Sequence, residues 1–213
     1  VDWFMQEAKK RGMTVSLSDY TLGIGQGWVV DEVLKENPDL AGSLLQSLTR
    51  EVEAGDIEWP VPADTLMVAG YDLSSGAAVD LRARIANGVL KWRAPAGKHR
   101  LVAVYAEPVQ PSIDPMNPKS GPAYAKKFFG QFEDRHPGEA GKGLNFFFSD
   151  ELDLRLRGNL WNARFAEELR KRKGYDIVPE LPALFVDIGP RTPKVRMDYS
   201  DVKVALTEEG YFQ

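Results

Sequence analysis

The sequence predicts an α/β protein, part of a parallel β/α barrel that carries an inserted antiparallel all-β subdomain. Three observations support this. The opening VDWFMQEAKKRGMTVSLSD reads as helix, glycine stop and strand, the wiring of parallel sheets. The run LNFFF, Leu144 to Phe148, is a second apolar strand. Between them, residues 42–110 change to short alternating runs separated by turn residues. The expected division is 1–41 and 111–213 for the barrel region and 42–110 for a β-sandwich-like insertion.

In the first helix, Trp3, Phe4 and Ala8 form an apolar stripe. Lys9, Lys10 and Arg11 place positive charge at the negative end of the helix dipole. Gly12 is the residue expected just past the helix, where glycine adopts positive φ at little cost. From Thr14 to Ser18, Val15 and Leu17 share one face of a strand, with Thr14, Ser16 and Ser18 on the other. Asp19 follows, then glycines at 23, 25 and 27, then a short helix near Val29 to Glu36. This loop lacks the third glycine of a dinucleotide fingerprint and the Lys-Ser/Thr pair of a phosphate loop. As an active-site loop it offers Gln26 and Trp28 to a ligand; the plain alternative is that Trp28 packs the loop down.

Within 42–110, Asn87-Gly88 is the strongest hairpin signal, and APAG at 94–97 predicts another turn. Trp59 and Trp92 fall at strand positions and are expected in the core. A helix from Pro122 to Arg135 should bury Tyr124, Phe128, Phe129 and Phe132. Asn159 is placed to cap a helix from Leu160 to Lys173, with Trp161, Phe165 and Leu169 on one face and Gly174 at its end. Thr192-Pro193 should open a long helix to about Phe212.

Composition removes several function classes. The chain has 213 residues, 43% of them hydrophobic, enough for a real core, and a formal net charge of -4. That balance gives no basic face for nucleic acid. No apolar run reaches the roughly 20 residues of a membrane span, so no membrane partner is expected. Without cysteine there is no disulfide, no thiolate nucleophile and no thiolate zinc site. His99 and His136 lack the spacing of a metal pair and read as surface or turn residues. Val1 leads straight into a helix without a signal segment, which reads as a cut inside a longer protein.

The chemistry gathers after the second strand, where Asp150 and Glu151 follow FFFS at once. Alternation puts Asn145, Phe147, Ser149 and Glu151 on one face and Leu144, Phe146, Phe148 and Asp150 on the other. In a parallel barrel the more polar set faces the axis, so Glu151 is assigned to the C-terminal rim. Glycosidic cleavage needs a carboxylic acid that protonates the leaving oxygen and a second carboxylate that assists at the sugar. Apolar or acidic neighbours keep such an acid protonated; Phe147, Trp161, Asp150 and Asp153 could supply both. The bland alternative is a pair of solvated loop acids held by Arg155 or Arg157.

The stretches FFFSDEL, RGNLW, FAEELRKRKGYDIVPELPALF and RMDYSDVKVALTEEGYF resemble the catalytic barrel of the α-L-rhamnosidase-type glycoside hydrolases, family 106 and its relatives. AKKRGMTVSLSDYTLGIGQGW and NGVLKWRAPAG resemble that family's early barrel segment and β insertion. The resemblance runs over most of the chain and implies a partial (β/α)8 TIM-type barrel. It implies Glu151 as general acid and Asp19, Asp150 and Asp153 as candidate sugar or cation contacts, beside the loop candidates Gln26 and Trp28. Relatives can bind calcium near the active site, but no ligand set here is complete enough to name a cofactor or a metal. The expected partners are an oligo- or polysaccharide substrate and the remainder of the parent barrel. The second catalytic carboxylate is expected beyond Gln213, so this chain alone is expected not to turn over although its parent does, and a periplasmic or extracellular parent is expected.

Two other readings stay open. One is a carbohydrate-binding or docking module that stacks sugars on Trp59 or Trp92. The other is a metal-dependent hydrolase using Asp19, Asp150, Glu151 and Asp153 on oxygen-loving ions.

Overall fold

The computed structural model describes residues 2–18, 27–148 and 155–212, with positions 18, 27, 28 and 146–148 described by backbone alone. In chain order the elements are α1 (Asp2–Lys10), β1 (Val15–Ser18), α2 (Gly27–Glu36), β2 (Ala41–Pro60), β3 (Thr65–Asp72), β4 (Ala78–Asp80), β5 (Ile85–Ala86) and β6 (Val89–Ile113). They continue with α3 (Ser120–Phe128), α4 (Gly130–Arg135), β7 (Leu144–Phe148), β8 (Leu160–Trp161), α5 (Phe165–Lys173) and α6 (Thr192–Tyr211). The chain divides into two compact units. One holds Val1–Ala41, Gln110–Leu156 and Thr207–Gln213; the other holds Gly42–Val109 and Arg157–Leu206.

The expected partial (β/α)8 barrel is not what the chain forms. Among the described residues, parallel strand pairing joins β1 and β7 in a two-stranded sheet. The larger sheet has six strands in the order β4-β3-β6-β2-β8, with β5 also on β6. Its ladders β3–β4, β3–β6, β5–β6 and β2–β8 are antiparallel. The ion pairs Glu51–Arg100, Glu53–Lys98, Asp56–Arg93 and Glu58–Lys91 step up β2 as they step down β6, so these neighbours are antiparallel too. The protein is therefore mixed helix and sheet, dominated by antiparallel structure. The sequence reading was misled because a helix–turn–strand opening is shared by many mixed folds. Only strand partners decide between them, and those are non-local.

In the first unit, Met5 of α1 packs with Leu17, Phe132 and Leu144, with Val15 half-buried against them. This corrects the expected stripe: Met5 and Ala8 face inward, while Trp3 and Phe4 are each 65% exposed and meet edge to face. Gly12 takes φ 65°, as the end of α1 requires. A second cluster joins Val29, Val30 and Val33 of α2 to Leu40, Ile113, Tyr124 and Phe128. The single helix expected from Pro122 to Arg135 is two, parted at Phe129; Tyr124, Phe128 and Phe132 are buried and Phe129 half-buried.

In the second unit, Val52, Trp59, Val61, Val68, Leu81, Leu90, Leu101 and Ala103 form the core. Asn87 and Gly88 turn β5 into β6 with φ of 52° and 73°, the left-handed pair that a tight hairpin demands. The turn expected at APAG does not form. Gly97 bends the backbone at φ 112°, yet β6 runs on, and Glu53 and Glu51 meet Lys98 and Arg100 beyond it. His99 is buried against the edge of Trp92, with Nε2 3.2 Å from the Pro95 carbonyl, and is not the expected surface residue.

Leu160 and Trp161 were expected to open a helix. They form β8 instead, because Leu44 and Ser43 of β2 pair with them and Ser43 Oγ donates to the Trp161 carbonyl at 2.7 Å. Asn162 then makes the turn into α5 by accepting from the Arg164 N–H at 3.0 Å. Gly174 closes α5 in the left-handed region, as expected.

Burial raises the pKa of Tyr71, Tyr175 and Tyr199, to about 12 for the first two and further for the third. The charges of Glu180 on Tyr71 and of Asp198 on Tyr175 add to this. Unfolded phenols ionise near pH 10, roughly, so above that pH the folded chain retains protons that the unfolded chain has lost. Their contribution to stability is thus whole below about pH 10 and declines as pH rises through the folded values. Urea unfolding at about pH 9 and about pH 11 should show that decline, and Tyr199→Phe should flatten it. An unchanged slope in the variant would remove Tyr199 from the account.

Candidate functional site

β1 and β7 set the frame of the site. Their register pairs Val15 with Leu144, Leu17 with Phe147 and Ser18 with Phe148, with an irregularity between Val15 and Leu17. Being parallel, both strands end in the same direction, and Ser18 and Phe148 are level. Leu17 and Leu144 face the apolar cluster, while Asn145 is exposed. The inside-outside alternation expected of β7 therefore holds at these positions, but the Asn145 side faces solvent rather than a barrel axis.

The sequence-derived site residues follow these strand ends in the chain. Asp19, Gln26, Asp150, Glu151 and Asp153 lie outside the described residues. Trp28 belongs to α2 by its backbone, and its side chain also lies outside them. Among the described residues, no group of three or more His, Asp or Glu side chains could hold a metal ion, and no helix is long and apolar enough to cross a membrane.

What is described is how the chain returns from both segments. It re-enters at α2 and at Arg155. Arg155 takes φ 57°, a left-handed conformation that costs a non-glycine residue on the order of 1 kcal/mol or more. Its Nη1 donates to Asp31 Oδ1 of α2 at 3.3 Å. Asp31, within α2, and Arg155 are thus joined by an ion pair downstream of the level ends of β1 and β7. Asp31 was not among the sequence-derived residues. The partners are 124 positions apart, and no local pattern announces the pair.

The tryptophans proposed as a sugar-stacking platform are placed otherwise. Trp59 is 8% exposed within the core cluster, and Trp92 is half-buried against it. Trp59 therefore offers no open ring face, while Trp92 keeps part of its surface exposed.

No protein-family model matches this chain, and no curated protein matches it. A solved rhamnosidase from Novosphingobium sp. PP1Y is a distant structural neighbour, at 22% identity and a TM-score of 0.46. The match covers 68% of this chain and 16% of that one, so the chain spans about a sixth of the neighbour's length.

Proposed function

We propose that this chain belongs to a glycoside hydrolase-related protein, of α-L-rhamnosidase type, with Glu151 as its general acid. The observation that carries the reading is the level, parallel ending of β1 and β7 at Ser18 and Phe148. Asp19 follows the first end by one residue, and Asp150 and Glu151 follow the second by two and three. Acids that follow two neighbouring parallel strand ends in the sequence support a general acid with acidic sugar contacts beside it. Glu151 would give its proton to the departing glycosidic oxygen. Asp19, Asp150, Asp153, Gln26 and Trp28 would contact the sugar, and a second carboxylate would assist at the sugar carbon. The family resemblance of the surrounding motifs supports the sugar class.

The test is hydrolysis of aryl α-L-rhamnosides by this chain and by a longer polypeptide that contains it. Loss of a general acid should lower turnover about 10²–10⁴-fold in Glu151→Gln with the circular dichroism spectrum unchanged. Equal rates in the longer polypeptide and its Glu151→Gln variant, or a chelator-sensitive phosphatase activity in place of glycosidase activity, would overturn the assignment.

A further inference from the structure

Beside the Asp31–Arg155 pair lies an open depression of about 280 Å³, lined by Asp31, Leu34 and Lys35 of α2, by Pro38 and Ala41, and by Gln110 and Pro111. The geometry points to a subsite here that binds one neutral monosaccharide ring. This inference rests on the glycoside hydrolase reading and adds to it the residues that would read the sugar.

Size is the first argument. The volume falls just below the roughly 300–1,000 Å³ of sites for drug-sized ligands, which is the scale of a single ring.

Chemistry is the second argument. Leu34, Pro38 and Pro111 present C–H surface, and neither proline has an N–H to satisfy. Asp31 supplies acceptors, Gln110 both donors and acceptors, and Lys35 donors. A sugar ring has the matching division, an apolar C–H face and a rim of hydroxyls that donate and accept. A wholly apolar ligand would strip water from Asp31 and Lys35 without replacing it, and a bare ion would leave the Leu34 and proline surface unused.

Arg155 is the third. Its Nη1 donates to Asp31 Oδ1 at 3.3 Å, which biases the orientation of that carboxylate beside the depression. Arg155 does not itself line the depression; it bears on it through Asp31.

Amide NMR titration of the chain with methyl α-L-rhamnopyranoside tests the subsite, with galacturonate as the charged comparison. Saturable shifts are expected at the amides of Asp31, Leu34, Lys35, Ala41 and Gln110, with millimolar affinity on the order of magnitude of a single ring. Asp31→Asn and Gln110→Ala, both at exposed positions, should each weaken binding by roughly three- to tenfold. No saturable shift at these amides up to about 100 mM rhamnoside would overturn the proposal. So would a preference for galacturonate, which would mean that the site reads the Lys35 charge. Rhamnoside shifts confined to other residues would sink the subsite and leave the hydrolase reading standing. Absence of binding by this chain, together with absence of hydrolysis by a longer polypeptide that contains it, would remove both.

Discussion

Phe165→Ala is expected to cost about 3–5 kcal/mol of stability, among the largest losses open to a single substitution in this chain. Phe165 is fully buried at the first position of α5. Its ring lies 5.3 Å from that of Trp161 in β8 and 4.9 Å from that of Tyr199 in α6. One side chain thus joins a strand and two helices, and Tyr199 adds a bond from its hydroxyl to the Leu160 carbonyl at 2.6 Å. The charges on α5 do not compete with this. Lys171 with Glu167 and Glu168, and Lys173 with Asp201, are solvent-facing pairs that water screens, so they add little. A helix of nine residues has little stability of its own, so α5 persists because Phe165 and Leu169 are buried. Urea unfolding of the alanine variant checks the magnitude, with Phe165→Leu expected to lose much less because most of the volume is kept. A loss below about 1 kcal/mol for alanine would mean that the three elements are held together elsewhere.

What the sequence disclosed, and what it hid, divides along local and non-local physics. The Asn87-Gly88 hairpin, Gly12, Gly174 and the start of α6 were legible because each is fixed by its own φ or by a side chain nearby. At α6, Thr192 Oγ1 accepts from the Ile188 N–H at 2.9 Å and donates to Asp187 Oδ1 at 3.0 Å. The strands β1 and β7 were legible from alternation and apolar runs. Their neighbours were not, and the barrel expectation failed on that point. β8 was hidden because Leu160 and Trp161 fit a helical spacing equally well, and only Ser43 and Leu44, more than a hundred positions away, make them a strand. For the candidate site, the sequence pointed to the acids after β7 and to the segment after β1. It did not point to Asp31, whose importance lies in a contact with Arg155 that no spacing rule reaches.

Gly121→Ala is the second large expected effect, a loss of about 1–3 kcal/mol or more. Gly121 lies at the start of α3, and a methyl group there would overlap the Tyr211 carbonyl and crowd the backbone behind it, at the last turn of α6. Gly210 repeats the contact from the other partner: a Cβ on it would stand 2.9 Å from the Pro115 carbonyl oxygen. Neither side can yield easily. The segment before α3 is pinned by Asp114, whose carboxylate accepts from the Met116 N–H at 2.9 Å and whose carbonyl accepts from Ser120 Oγ at 2.6 Å. Backbone meets backbone here, so no flexible side chain can swing away to make room. The matched control is Gly130→Ala. A methyl there meets nothing closer than Lys126 Cγ at 3.9 Å, and it should be neutral or stabilising by up to about 1 kcal/mol. Displacement of α3 should also travel further, because Tyr124 and Phe128 pack on Val29, Val30 and Val33 of α2, the helix that carries Asp31 and Leu34. In Gly121→Ala the amide signals of Asp31 and Leu34 are therefore expected to move, while in Gly130→Ala they should stay. Equal stability of the two variants, or a Gly121→Ala spectrum unchanged at α2, would show that α6 is not held against α3 as closely as these glycines require.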